Sequence, residues 1–421
     1  MGLLDFVRRH LVDVRPLATP AYRRLWWGQG VSFMGFQLTS VAVSAQIYDI
    51  TGSSFWVGML GPANLVPLIV FGLWGGAIAD AVDRRKLLIG GALVAWTGTL
   101  ALLVQAWTGT EEVGLLLAAV AVHATGFAVT SPTRGAIIPR LLPVEQVPAA
   151  NTLNFLVSSL GAVIGPLIAG VVLARGGFAI AYLADAVLFG ASLYAALRLP
   201  RLAPTGEVTR PGLGSVVDGL RYIAGHPVVL MSFVVDIIAM AFALPRALFP
   251  EVVAERFGGS PVAFGWLTAA MGIGSVIGGL LSGWVGRVRR QGMALTFTIA
   301  VWGMSVVAAG LAGELWAMVA LLAVGGGADM VAGVWRQTIL QTHAPDEMRG
   351  RMQGVFTVVV AGGPRLGDLR AGATATWFGA TGAWVGGGLA CAAAVLVVGL
   401  AVPAFRDYRA AAVARDDAAR T

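Results

Sequence analysis

One cysteine and one lysine occur in 421 residues, beside four histidines and 28 arginines. The lone Cys391 excludes a disulfide framework and a thiolate metal cluster. Charged residues make up 12% of the chain, about half the usual share of a soluble domain. Walker-type phosphate loops, membrane-depth clusters of metal ligands and nucleophile–base pairings are missing as well. Neither enzymatic chemistry nor ATP-driven transport is therefore expected, and no metal or cofactor is implied. What the chain has instead is hydrophobicity: 57% of its residues are apolar and its mean hydropathy is +0.78. That is the composition of an integral membrane protein.

A helix needs roughly 20 apolar residues to cross hydrocarbon. Windows of that kind recur at 26–48, 55–79, 87–107, 113–131, 152–174, 178–197, 227–250, 262–284, 292–312, 315–335, 353–377 and 381–404, which predicts twelve spans. With the N-terminus inside, the cytoplasmic segments collect 24 of the 29 Lys and Arg residues. The outer loops hold only Arg175 and Arg256, and Arg246, Arg365 and Arg370 fall within spans. This is the positive-inside pattern. It predicts a multi-pass protein of the cytoplasmic (inner) membrane with both termini cytoplasmic. The net charge of +7 and the pI of 10.3 then reflect topology, because the arginines are spread over short separate loops and form no nucleic-acid surface. No small-residue cleavage pattern follows the first window, so no removable signal is expected.

A shift of 202 residues places Arg134 on Arg336, Pro143 on Pro345 and Glu145 on Glu347, all read as loop residues after spans four and ten. The same shift lays "GAVIGPLIAG" (161–170) on "GPRLGDLRAG" (363–372). The expected fold is all-α, with two pseudo-symmetric six-helix bundles, 1–197 and 227–421, joined by a polar, proline-bearing cytoplasmic linker over 198–226. Many secondary transporters have such halves, and rocking one against the other exposes a midplane site to each side in turn. The implied partners are a small-molecule substrate, the lipid bilayer and protons, with no nucleic acid and function as a monomer. A duplicated channel or receptor is the alternative, but nothing resembles a selectivity filter or a large ligand-binding domain.

The stretch "GGAIADAVDRRKLL" (75–88) resembles the major facilitator superfamily, whose loop between helices two and three carries glycine, aspartate and a basic cluster. Gly76, Asp80, Arg84, Arg85 and Lys86 match that loop, with Asp83 as an additional carboxylate, and the resemblance implies a cytoplasmic gate in which a carboxylate exchanges cationic partners as the halves move. In the second half "SGWVGRVRRQG" (282–292) keeps the arginines and has Gly283 in place of the aspartate. "GAVIGPLIAG" is similar to the family's antiporter signature, with Gly161, Gly165, Pro166 and Gly170 in the matching places. Glycines at that spacing let another helix approach closely, and Pro166 permits a bend. Residues 245–283 and "RQTILQTHAPDEMRGRMQG" (336–354) resemble the superfamily branch that contains the bacterial enterobactin (siderophore) exporter. The resemblance implies efflux of a siderophore or another amphipathic small molecule, with proton antiport as the energy source. Multidrug or macrolide efflux, import of a small polar solute and a non-transporting sensor remain as alternatives. Over 115–130 span four lacks the arginine that several proton-coupled drug antiporters place there, so if protons are coupled another group must carry them.

Ionisable groups inside a bilayer cost roughly 2.5–3.5 kcal/mol each at the helix centre, so each is a functional candidate. The resemblance places helices one, four, seven and ten around the cavity, which singles out Asp329, Asp236 and His123 as candidates for proton coupling. Arg246, close to Glu251 and Glu255, is read as part of an outer gate. Gln29, Ser32, Gln37, Ser40 and Ser44 can share one face of span one by their spacing, which implies a wet cavity wall. Arg365 and Asp368 are three apart and can pair on one face, whereas Arg370 needs its own partner. Because the family sets helix eleven along the contact between halves, these three charges are expected to form an interdomain switch.

Overall fold

The computed structural model describes residues 13–81, 83–202, 220–343 and 349–409, with side-chain detail at all of these except 72–81, 136, 286–287, 341–343 and 349–358. The Asp80 carboxylate, Pro345, Glu347 and linker residues 203–219 therefore lie outside the description. Among the described residues there is helix and no strand. In lipid a helix satisfies its backbone polar groups internally, so this is the structure the composition requires. The long helices are α1 (Pro20–Thr51), α2 (Leu60–Ala81), α3 (Arg84–Thr108), α4 (Val113–Leu141), α5 (Val147–Leu197), α6 (Pro227–Phe242), α7 (Pro261–Leu280), α8 (Gln291–Leu311), α9 (Leu315–His343) and α10 (Arg349–Ala401).

Among the described residues, nine helical stretches are long and apolar enough to cross a membrane. Two of them are of double length, 54 and 43 residues, and each turns back on itself at one glycine. Gly177 breaks α5 with φ 68° and ψ −170°, and Gly379 breaks α10 with φ 67° and ψ 169°. Side chains are excluded from that conformation, and the two glycines are related by the 202-residue repeat. Helix α1, with its polar stripe, falls outside the nine. The window at 227–250 falls within one candidate span, Pro227–Phe257, whose helix is interrupted: α6 stops at Phe242, and Arg246–Leu248 forms a 3₁₀ turn before a short helix, Phe249–Phe257. Pro245 accounts for the interruption, because the residue before a proline is pushed out of helical geometry.

Within the first half α1 packs on α5, and α4 on α2 and α3; within the second, α7 and α8 pack on α9, and α6 and α8 on α10. Across the halves, α5 meets α7, and α10 meets α2 and the short helix Ser54–Gly58. Glycines make these approaches possible. A Cβ at Gly170 would lie 2.6 Å from the Pro261 carbonyl and 3.1 Å from Val262 Cα, and one at Gly265 would lie 2.6 Å from the Pro166 carbonyl. On the pseudo-symmetric side a Cβ at Gly372 would lie 3.0 Å from Gly58 Cα. All of these contacts sit at the end of the bundle remote from the termini, where the Ser54 hydroxyl also donates to the Glu251 carboxylate.

Candidate transport site

Three cavities lie along α1. The largest, about 660 Å³, is bounded by Gln37 and Ser40 of α1, Phe155 and Ser159 of α5, Thr268 and Ser275 of α7, and Asp329 and Arg336 of α9. It separates the two halves and extends from Arg246 to Thr338, toward the end that carries the termini. A smaller one of about 130 Å³ is bounded by Ser40, Ser44, Asn64, His123, Arg246 and Asp368. The third, about 350 Å³, lies within the first half and touches Gln29, Ser32, His123 and Arg134. The polar face expected on α1 is thus divided: Gln29 and Ser32 line one cavity, Gln37 another and Ser44 the last, with Ser40 shared by two. Two further polar residues of α1 bond within the first half, although Thr39 also borders the small cavity. Thr39 donates to Asp185 (2.7 Å), and Gln46 exchanges hydrogen bonds with Gln105.

The break after α6 builds the centre. Its freed carbonyls at Ala241 and Phe242 accept hydrogen bonds from Arg370 at 3.0 and 2.6 Å, and the same guanidinium reaches the Ala383 carbonyl at 3.2 Å. Arg370 is therefore a helix cap, which satisfies both a half-buried cation and the orphaned end of a helix. Beyond the break, Arg246 borders both inter-half cavities rather than an outer gate. It shares the large cavity with Asp329 and the small one with Asp368.

Asp236 and Asp329 meet in one network but occupy different surroundings. The Asp236 carboxylate pairs with Arg336, and the two side chains are only 1% and 6% exposed. Asp329 stands 3.4 Å from the same guanidinium, yet its side chain is 33% exposed and lines the large cavity. Only one of the two candidate carboxylates therefore meets the cavity. His123 lies between the other two cavities and stacks on Phe36, with centroids 5.3 Å apart and planes at 11°.

Several expectations need correction. Arg134 and Arg336 are not loop anchors: both lie inside helices, α4 and α9, and line cavities, because those helices run several residues past their apolar windows. Their alignment in the repeat was the signal, and the loop assignment hid it. Arg365 and Asp368 form no ion pair. Arg365 donates to the Ala361 carbonyl of its own helix, while Asp368 faces the small cavity with Arg246. The backbone of this segment does lie at the contact between halves, where a Cβ at Gly58 would come 2.7 Å from the Asp368 carbonyl. Asp83 is an N-cap: its carboxylate accepts from the Arg85 backbone N–H at 2.8 Å at the start of α3. The Arg85 side chain donates to the Leu197 carbonyl at 2.6 Å, and the Arg84 N–H to that of Leu202 at 3.2 Å, both within the first half. Lys86 is exposed.

The glycine run in α5 has two faces. Gly161 and Gly165 back α1, where added Cβ atoms would lie 2.6 Å from Phe33 Cδ1 and 2.5 Å from Gln37 Cβ, whereas Gly170 faces α7 in the other half. The copy in α10 repeats this division: Gly363 and Gly367 back α6 at Met240, and Gly372 faces the first half.

Apolar helices in two related halves, closed on each other at one end and parted by a polar cavity toward the other, define a membrane transporter rather than an enzyme. The chain belongs to the major facilitator superfamily: residues 12–418 match the family described as "Transmembrane secretion effector". The enterobactin exporter EntS of Shigella boydii serotype 18 (strain CDC 3083-94 / BS512) is 31% identical over 370 residues, 83% of each chain. EntS of Escherichia coli O9:H4 (strain HS) shows the same identity over the same share of each chain. Among solved structures, a bacterial homologue of the human lysosomal transporter Spinster, in an inward-facing and unoccupied conformation, aligns with a TM-score of 0.71 at 16% identity, covering 93% of this chain and 97% of that one. A bacterial homologue of the iron transporter ferroportin, in an inward-facing state, aligns with a TM-score of 0.70 at 13% identity, covering 92% and 99%. At such identities the structural likeness speaks for the fold alone.

Proposed function

We propose that the chain exports a siderophore or another amphipathic small molecule across the cytoplasmic membrane by alternating access, in exchange for protons. The observation that carries this reading is the cavity of about 660 Å³ between the halves, whose wall combines hydroxyls and amides with the partly exposed carboxylate of Asp329. The size falls in the range of about 300–1,000 Å³ usual for small-molecule sites. Similarity to the enterobactin exporters favours export and a siderophore-like cargo. With both termini cytoplasmic, which the arginine distribution favours, the cavity is open inward and the contacts around Gly170, Gly372 and Ser54 close the outer side.

In this scheme Asp329 carries the proton. A carboxylate that meets water on one side and Arg336 on the other can be protonated without unpairing the arginine, because Asp236 holds it from behind. Asp236 is a positioning residue. Asp80 and the basic loop after α2 act as the cytoplasmic gate, and the protein works as a monomer.

Reconstitution in liposomes with an imposed pH gradient tests the reading, using a panel of siderophores and drugs. Gradient-driven efflux of at least one compound is expected. Flux that ignores the gradient, or none from any compound while a known exporter works alongside, refutes it.

A further inference from the structure

The two halves carry equivalent arginines, Arg134 and Arg336, but surround them differently. Arg336 is neutralised by Asp236 and has Asp329 nearby. At the 202-residue shift those two carboxylates fall on Met34 and Phe127. Arg134 accordingly has no acidic neighbour among the residues lining its cavity. Its Nη2 donates to the Ser192 hydroxyl at 3.0 Å, and its Nε is buried with no partner. A guanidinium in a membrane helix with no carboxylate among the described residues lining its cavity is costly and marks a functional position.

The same cavity holds a row of rings. Phe36 lies between His123 and Phe127, with centroids 5.3 and 6.2 Å away and both pairs of planes at 11°. All three line the cavity, together with the side-chain amides of Asn151 and Asn154. Phe127, the residue that replaces a carboxylate, therefore removes negative charge from the arginine and adds a ring to the stack. The volume of about 350 Å³ accommodates a ring-bearing ligand, and Phe36 and His123 also border the small inter-half cavity.

We infer that the cavity of the first half is a binding site for an aromatic anion, an aryl carboxylate or a molecule bearing one, with Arg134 receiving the anionic group and the Phe36–His123–Phe127 row receiving the ring. The inference deepens the export reading and rests on it for its purpose: a cargo carrying an aryl anion docks here on the cytoplasmic side and passes the Phe36–His123 pair into the space between the halves. Guanidinium favours carboxylate through charge-assisted, bidentate hydrogen bonds, and flat rings favour stacking.

Benzoate, its neutral isostere benzamide and the ringless hexanoate are the probes, titrated by calorimetry into the full-length protein in detergent. Benzoate is expected to bind at least tenfold more tightly than either of the others. Arg134→Gln is expected to weaken benzoate at least tenfold, Arg134→Lys less than Arg134→Gln, and Phe127→Leu about threefold, the scale of a lost ring contact. Equal binding of benzoate and benzamide by the unaltered protein, no benzoate binding at millimolar concentration, or an Arg134→Gln protein that binds like the original overturns the inference. The comparison of probes on the unaltered protein decides the matter even where a variant fails to fold. Gradient-driven efflux without benzoate binding refutes this site and leaves the export reading standing. Benzoate binding without flux of any compound supports the site and refutes that reading.

Discussion

Replacing Asp236 with asparagine separates the two carboxylates that surround Arg336. The Asp236 and Arg336 side chains are 1% and 6% exposed, so water screens neither charge. Removing one member of such a buried pair leaves the other uncompensated and costs roughly 3–5 kcal/mol. Asp329, 3.4 Å away and one-third exposed, takes up part of the lost attraction; a partly solvated pair returns about 1 kcal/mol at most. The net loss is then about 2–4 kcal/mol, a fall of roughly 30- to 700-fold in the ratio of folded to unfolded protein. Asp329→Asn removes only the longer contact and is expected to cost about 1 kcal/mol or less. Denaturation midpoints in one detergent, measured side by side, check the order. Gradient-driven efflux should run the other way in specific activity: Asp329→Asn yields stable protein without proton coupling, while the Asp236→Asn protein that folds keeps coupling in part, because protonating Asp329 then leaves Arg336 unpaired. If Asp329→Asn is as destabilised as Asp236→Asn, the division of labour is wrong. If Asp329→Asn couples normally, the proton assignment is wrong.

Arg370→Ala is expected to lose roughly 2 kcal/mol, because it strips charge-assisted hydrogen bonds from three carbonyls, two of them part-buried; detergent stability should fall, and Arg370→Lys should recover part of it. Glu251→Ala removes the hydrogen bond that ties the halves at the remote end. A charge-assisted bond of about 1.5–3 kcal/mol implies a shift of roughly tenfold or more toward structures parted there. Spin-label distances across that end, on a Cys391→Ser background, should lengthen, and an unchanged distribution would count against the latch. Gly170→Val places methyl groups where the Pro261 carbonyl lies 2.6 Å from a Cβ; it should produce the same lengthening by pushing α5 off α7. Gly165→Val instead presses on Gln37 of α1 within one half, so it should lower the denaturation midpoint and leave the distance distribution in place.

The charges in "GGPRLGDLRAG" mark how far the sequence could be read. Their cost in lipid was evident from composition, and the repeat tied the segment to its first-half copy. Helical spacing nevertheless paired Arg365 with Asp368, whereas in the folded chain Arg365 turns to the Ala361 carbonyl, Asp368 faces Arg246 and Arg370 caps a helix 128 residues away. Spacing reports neighbours along one helix only. The carbonyls that Arg370 caps exist as acceptors because Pro245 interrupts another helix, and no periodicity in α10 records that event.

The sequence by itself determined the medium, the helical class and the two-part repeat, because hydropathy, charge placement and self-similarity are properties of the chain read in one dimension. It also placed most of the residues that later met at the cavities. Tertiary structure decided which of them meet. It set Asp329 on a cavity wall and Asp236 behind Arg336, moved Arg246 from an outer gate to the centre, and brought Arg134 from a supposed loop into a cavity without a carboxylate. A buried charge takes its state from whatever lies within a few ångströms, and those neighbours come from helices far apart in the chain.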